Sequence, residues 1–448
     1  MIAVFDIGKT NKKLLLFDES LKLVFQAEQK FPEIRDEDGF ECDDIRLLES
    51  WMKESITKLL NNGEFRIKAI NFSTYGASLM HLDAEGKPLT PVYNYLKPMP
   101  EEVLAGFYEK YNGVEEFSRK TASPALGMLN SGLQILWIRK KRPEIFGRIH
   151  SSLHFPQYVS YVFTAKIASE YTSIGCHTAM WDFDSNIYHQ WLADEGIRLP
   201  EPLPNDTFYP VEINGYRLKT GIGIHDSSAS LVPYLKAVNE PFVLISTGTW
   251  CIFMNPFNDE PLTGDQLRKD SLCYMSIHQK QVKSSRLFLG HIHDVNVERL
   301  NRHFGTHSGF YKSIKANTIK VSRLINKKER YFFSKGIPDD YIGNESLSGF
   351  LTFDDAYHQL MFDLVDIAME SLELIIPAEN QPQTFFITGG FARNELFTKL
   401  VAGRLPGKRI FTSEVDNSTA LGAAIVMYES AFDKKIPVID LGLREIVC

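Results

Sequence analysis

Residues 1–18 read MIAVFDIGKTNKKLLLFD and residues 241–256 read PFVLISTGTWCIFMNP. Each is an apolar run, a short glycine turn with hydroxyl-bearing residues, and a second apolar run, the pattern of a β-hairpin. In the first, the strands IAVFD and KLLLFD flank Ile7-Gly8-Lys9-Thr10-Asn11; in the second, FVLIS and WCIFMNP flank Thr247-Gly248-Thr249. The recurrence predicts two lobes of related architecture. A chain of 448 residues has the length for two or three domains, and we divide it into residues 1–235 and 236–448. Apolar residues at three and four spacing predict a helix over Ile45 to Leu60, followed by the strand FRIKAINFSTYG, and a second helix over Ser131 to Lys141. Strand, helix and strand in that order imply layered α/β structure. A proline-bearing loop near 200–205 ends the first lobe. The second lobe closes with the strand TFFIT running into Gly389-Gly390 and a helix, and with Asn417 to Ala424 opening another. Residues 305–350 carry no legible motif.

Composition excludes several classes. Hydrophobic residues make up 44% and charged residues 23%, which is ordinary globular usage with no disordered class. The net charge is −7, and the basic runs Lys12-Lys13, Arg139 to Arg142 and Lys327-Lys328 are short and scattered, so nucleic acid is not an expected partner. No apolar stretch approaches the ~20 residues that span a bilayer, and no basic leader precedes the first strand, so the expectation is a cytoplasmic protein without a membrane partner. The cysteines Cys42, Cys176, Cys251, Cys273 and Cys448 are odd in number and widely separated, which predicts reduced thiols rather than a disulfide framework or a zinc site.

The turns have chemistry of their own. Gly8 lets backbone amides approach an anion closely, while Lys9, Thr10, Asn11 and Lys13 bring donors. A strand rather than a helix follows, and the spacing is not that of a Walker loop, so a plain β-turn is the rival reading. The second turn, with Gly248 and Thr249, makes a two-sided phosphate clamp conceivable. Asp6, at the tip of a buried strand, suits Mg²⁺ held through water; a turn cap is the alternative. His225-Asp226, in the glycine-bearing stretch TGIGIHDSSASL, is read as a loop from which Asp226 could accept the proton of an attacking hydroxyl, against the plainer reading of a structural turn. Gly389-Gly390 would let a flat purine lie on bare backbone, or would simply supply φ > 0. Gly422 and its alanines mark close helix packing, with a hinge as the second reading.

In this order the motifs resemble the FGGY carbohydrate kinases through nearly the whole chain. DIGKTNKK resembles the first phosphate motif, with Lys13 at its basic position. AINFSTYGASLMHLDAEGKPLTPV resembles the segment that meets the sugar, and LQILWIRKKRPEIF and FPQYVSYVFTAKIASEYTSIGCHTAMWDFD resemble the stretches that follow. GIHDSSA resembles the segment of the catalytic aspartate, Asp226. ISTGTW resembles the second phosphate motif and is most similar to that of rhamnulokinases; TGGFARN, with Asn394, resembles the adenosine motif, and DNSTALGAA the helix near the hinge. The resemblance implies a two-lobed actin-like (ribonuclease H-like) fold and transfer of phosphate from ATP, with Mg²⁺, to a ketose. Tyr75, Gly76, His225 and Asp226 would meet the sugar. L-Rhamnulose and L-fuculose come first as substrates, then xylulose and ribulose, and a homodimer is compatible with the family.

Three departures concern the sugar. Val92 to Pro98 lacks the family's aromatic-x-Asp-x-Arg stretch, Tyr75-Gly76 stands where Gln-x-His is common, and CYMSIHQKQVKSS has no Asn-Glu-Gly segment. A sugar-sensing regulator without turnover is therefore an alternative, and a filament-forming or chaperone ATPase a more distant one.

Overall fold

The computed structural model describes residues 1–327, 329–334, 337, 341–343 and 345–447, so Lys328 and Cys448 lie outside the described residues. The four described cysteines are free and buried, in line with the expected reduced thiols.

The first sheet is built from β1 (Ile2–Ile7), β2 (Lys12–Phe17), β3 (Leu23–Gln29), β4 (Ala69–Thr74), β5 (Phe208–Ile213), β6 (Tyr216–Gly221) and the short β7 (Ile224–His225). Its order is β5-β6-β4-β1-β2-β3, with β7 pairing β4. The chain runs antiparallel from β1 to β2 and returns through helix α1 (Ile45–Asn62) to lay β4 parallel to β1. That helix starts where Asp44 accepts from the amides of Arg46 and Leu47, a cap worth about 1 kcal/mol, and stops at Gly63 in the left-handed region. Its Ile45, Leu48, Met52, Ile56, Leu59 and Leu60 are buried, the face expected from their spacing. The predicted helix over Ser131–Lys141 is present as α2, and α3 (Phe155–Thr164) packs on β4.

Helix α4 (Asp226–Ala237) leads to the second sheet: β8 (Phe242–Thr247), β9 (Cys251–Asn255), β10 (Ser271–Met275), β11 (Gln281–Leu287), β12 (Thr384–Gly389), β13 (Arg409–Thr412) and β14 (Arg444–Glu445). Its order is β10-β11-β9-β8-β12-β13-β14. Here too a hairpin is followed by a strand parallel to its first member, since β8 is antiparallel to β9 and parallel to β12. Helices α5 (Leu289–Phe304), α6 (Phe353–Glu373) and α7 (Glu395–Arg404) build an apolar core on this sheet. The motif-free stretch 305–350 holds a helix over Thr318–Lys327.

The last helix, α8 (Ser418–Phe432), crosses back and packs on β1, β4 and α4. A Cβ on Gly422 would collide with the backbone of Ala229, so α4 and α8 cross as closely as two backbones can. Ile2, Val4, Ala229, Val232, Ala420, Ala423 and Ala424 form the shared core beneath that crossing. This is an α/β fold of two similar sheets, the actin-like architecture.

Candidate active site

The C-terminal ends of three parallel strands converge at one end of the first sheet. Asp6 on β1 lies opposite Ser73 on β4, and Ile224 on β7 pairs Ser73 from the other side. The sheet therefore brings Asp6 and Asp226 within electrostatic reach of each other. Asp226 is not in a loop, as the sequence suggested: it is the first residue of α4, with His225 as the N-cap. The glycines before it shape the entry instead, as Gly223 (φ +85°) presses on the Pro156 backbone.

The Asp226 Oδ1 accepts from the Ser227 amide at 2.6 Å and lies 3.1 Å from His225 Nε2. A third of its side chain is open to solvent, yet the surrounding protein desolvates the carboxylate and pushes its pKa up to about 6. Asp6 is also raised to about 6, first by burial and then by the charge of Asp226, against the lowering effects of Thr419 and Lys13. Thr419, on α8, donates to Asp6 Oδ2 at 2.9 Å, so the returning helix touches this carboxylate directly.

The His225 ring is held on two sides. Its Nε2 is 3.0 Å from the Cys176 sulfur, and a Cβ on Gly76 would lie 3.0 Å from the ring, so the missing side chain at Gly76 makes room for the imidazole. Burial lowers His225 to about 4, which leaves it neutral at physiological pH. Tyr75 is buried, and its hydroxyl donates to Asp43 Oδ2 at 2.7 Å.

Asp43 had no place in the motif reading. It accepts from Lys12 (2.8 Å), Lys9 (2.9 Å) and Tyr75, and these partners hold its carboxyl below the usual range despite burial. Beside the helix cap Asp44, its sequence context reads only as a capping pair. Lys9 also pairs with Glu33, so its ammonium is drawn away from the turn and only its backbone remains for an anion. Lys13 differs: among the described residues it forms no ion pair, and its Nζ reaches Asn417 Oδ1 at 3.2 Å, near the start of α8. Next to Leu96, Lys97 binds Asp36 and Asp38, both at 2.6 Å.

The second turn is held by backbone. Gly248 N–H donates to the Trp250 carbonyl at 2.9 Å, as Gly8 N–H does to Asn11. Gly389 has φ +85° and abuts the Thr247 carbonyl, where a Cβ would collide, while open space surrounds Gly390. Thr247 Oγ1 accepts from the Phe391 amide at 3.0 Å, tying this turn to the hairpin. Thr10, Gly248, Thr249 and Gly390 are exposed at the tips, whereas Asn394 caps α7 and donates to the Tyr357 hydroxyl.

Residues 1–198 match the model of the FGGY family of carbohydrate kinases, N-terminal domain. That stretch is similar to the family's N-terminal domain. The chain is 22% identical over 451 residues to a rhamnulokinase of Halalkalibacterium halodurans, covering 94% of this chain and 92% of that protein. The fold matches a carbohydrate kinase from Novosphingobium aromaticivorans with a TM-score of 0.80 at 21% identity, covering 99% of this chain and 96% of that one. It also matches a xylulose kinase from Lactobacillus acidophilus with a TM-score of 0.77 at 16% identity, covering 100% and 93%. The comparisons thus make the chain similar to carbohydrate kinases in sequence and in fold. Among the described residues no helix is long and apolar enough to cross a membrane.

Proposed function

We propose that this kinase transfers the γ-phosphoryl group of ATP to a hydroxyl of a neutral monosaccharide ketose, with Asp226 as general base and L-rhamnulose or L-fuculose the first substrates to try. One observation carries the reading: Asp226 is a partly open carboxylate at the start of a helix, desolvated to a pKa near the working pH and 3.1 Å from a nitrogen of a fixed imidazole. Such a group is ionised at neutral pH and basic enough to take the hydroxyl proton as the phosphoryl group arrives. His225 and Gly76 border it, and the Tyr75 ring, its hydroxyl committed to Asp43, offers an apolar edge for a deoxy-sugar methyl.

The two turns act on ATP from opposite lobes, divided near residue 235. Backbone amides at Gly8 to Asn11 and at Gly248-Thr249 hold phosphate oxygens, Lys13 supplies charge, and the bare backbone at Gly389-Gly390 receives the adenosine. Asn394 contributes mainly by fixing the helix behind that turn. Mg²⁺ fits Asp6: two carboxylates, Asp6 and Asp226, share one region with Lys13 as the nearby cation. Among the described residues no three His, Cys, Asp or Glu side chains form a metal cage. That accords with an ion held by a carboxylate, water and substrate phosphates, where it would neutralise phosphate charge. Closure of the lobes about the α4–α8 crossing would exclude water from the transfer.

ATP consumption measured across a ketose panel tests the reading. Turnover with a ketose supports it; sugar binding without turnover would leave the chain a sensor.

A further inference from the structure

Buried polar atoms without partners gather around His225, and two of them belong to no motif. His225 Nδ1, His154 Nε2 and the Tyr274 hydroxyl all lack hydrogen-bond partners, and each side chain belongs to a residue only 4% exposed. Buried polar groups are almost always paired, so three orphans in one neighbourhood point to a polar occupant. The neighbourhood is real: the Tyr274 ring stands edge-on to His225 with centroids 6.5 Å apart, Asp226 and Cys176 act electrostatically on Tyr274, and His225 acts on His154.

The three groups come from separate elements that the fold clamps together. His154 ends the strand Ser151–His154 directly before α3, whose Gln157 amide holds the carbonyls of Ile222 and Gly223 on the approach to His225. Tyr274 lies on β10 of the second sheet. Ser228 of α4 donates to the carbonyl of the adjacent Met275 at 2.7 Å, and Gly175 sits so close that a Cβ would lie 2.6 Å from Met275 Cβ. Cys176 occupies His225 Nε2, leaving Nδ1 as the open nitrogen.

We propose that Tyr274 and His154, with His225 Nδ1, are sugar-binding groups that determine specificity, and that together they take an uncharged polyol rather than a sugar acid. This rests on the sugar-kinase reading above. A neutral imidazole offers one donor and one acceptor and a phenol offers both, which suits hydroxyl groups. Among the described residues no lysine or arginine acts electrostatically on His154, His225 or Tyr274 to pair with a carboxylate there: Lys9 is bound to Asp43 and Glu33, Arg286 to Asp270, and Lys13 acts on Asp6. Because Tyr274 comes from the second sheet, the sugar would bridge both lobes through it.

The test is steady-state kinetics of wild type, Tyr274→Phe and His154→Gln on a panel of neutral ketoses plus D-gluconate, with ATP binding followed by calorimetry. Tyr274→Phe keeps the ring and removes only the hydroxyl. Losing one hydrogen bond should raise the sugar KM about tenfold while the ATP Kd stays unchanged. His154→Gln, which retains a donor and an acceptor, should show a smaller rise and stands in should the tyrosine variant fail to fold. Sugar KM unchanged in both variants, or phosphorylation of D-gluconate by wild type, overturns the inference while leaving the kinase reading intact. A wild type that turns over no ketose overturns both.

Discussion

The hairpin of the first sheet and the hairpin of the second each close with a glycine amide bound to a carbonyl across the turn, Gly8 to Asn11 and Gly248 to Trp250, yet they are anchored by different physics. Behind Gly8, the first rests on Asp43, which gathers Lys9, Lys12 and the Tyr75 hydroxyl into one buried cluster. Behind Gly248, the second rests on uncharged contacts: Thr247 binding the Phe391 amide, Gly389 against the Thr247 carbonyl, and Gly290 against the Gly248 backbone. The first hairpin is thus coupled by charge to Tyr75, which we propose borders the sugar. The second is coupled by backbone fit to the glycine turn assigned to adenosine. A duplicated scaffold has been specialised by what stands behind each turn rather than by the turn itself.

The comparison breaks most readily at Asp43. Asp43→Ala leaves Lys12 buried without its carboxylate, so a loss of about 3 to 5 kcal/mol is expected, measured by denaturant unfolding, together with a raised sugar KM. Asp43 titrates below its unfolded value, so its stabilisation is present above about pH 4 and is lost as pH falls through the folded pKa. An unfolding free energy equal to wild type would show that the cluster anchors nothing. On the other side, Gly389→Ala combines a positive φ with a steric collision and should cost about 1 to 3 kcal/mol, with a raised ATP KM and sugar KM unaffected. Gly8→Ala, without a positive φ and with a Cβ 3.1 Å from the Asn11 carbonyl, should be milder. If the two glycine variants behaved alike, the contrast in anchoring would be wrong.

Smaller effects sharpen the division of labour. Lys13 is outside the Asp43 cluster, so Lys13→Ala should slow kcat by about 10- to 100-fold, the loss of a charge stabilising transferred phosphoryl oxygens, with little change in melting temperature. Lowering the pH to about 5 should cut kcat/KM roughly tenfold, because a carboxylate of pKa about 6 is then about a tenth ionised; Asp6 and Asp226 titrate as a pair, so the limb belongs to both. Thr10→Ala and Thr249→Ala should each raise the ATP KM only a few-fold, since each removes one exposed hydroxyl from a clamp built of amides. Wild-type ATP kinetics in both would remove the hydroxyls from the clamp.

Both hairpins and their lobes were legible because a strand pattern of period two with a glycine turn is local information. So was α1, through the spacing of its buried residues. What escaped was long-range. Asp43 reads as half of a capping pair, and only the fold sets it against Lys12 and Tyr75. Asp226 looked like a loop residue because the glycines preceding it mask the helix that begins there. The lysine turn looked uniformly basic, yet Lys9 is committed and Lys13 is not. Tyr274 lies in a stretch noted only for a motif it lacks, and α8 returns to the first sheet through a contact that no sequence period encodes.

The central claim is that Asp226 takes the proton of the sugar hydroxyl. The most direct measurement is the kcat of Asp226→Asn with the ketose that wild type prefers, alongside ATP affinity by calorimetry. Asparagine keeps the shape and cannot accept the proton, so kcat should fall about 10²- to 10⁴-fold while ATP affinity holds, because the turns proposed to hold phosphate lie elsewhere. A variant retaining more than about a tenth of wild-type kcat, outside the range for a lost general base, would contradict the account.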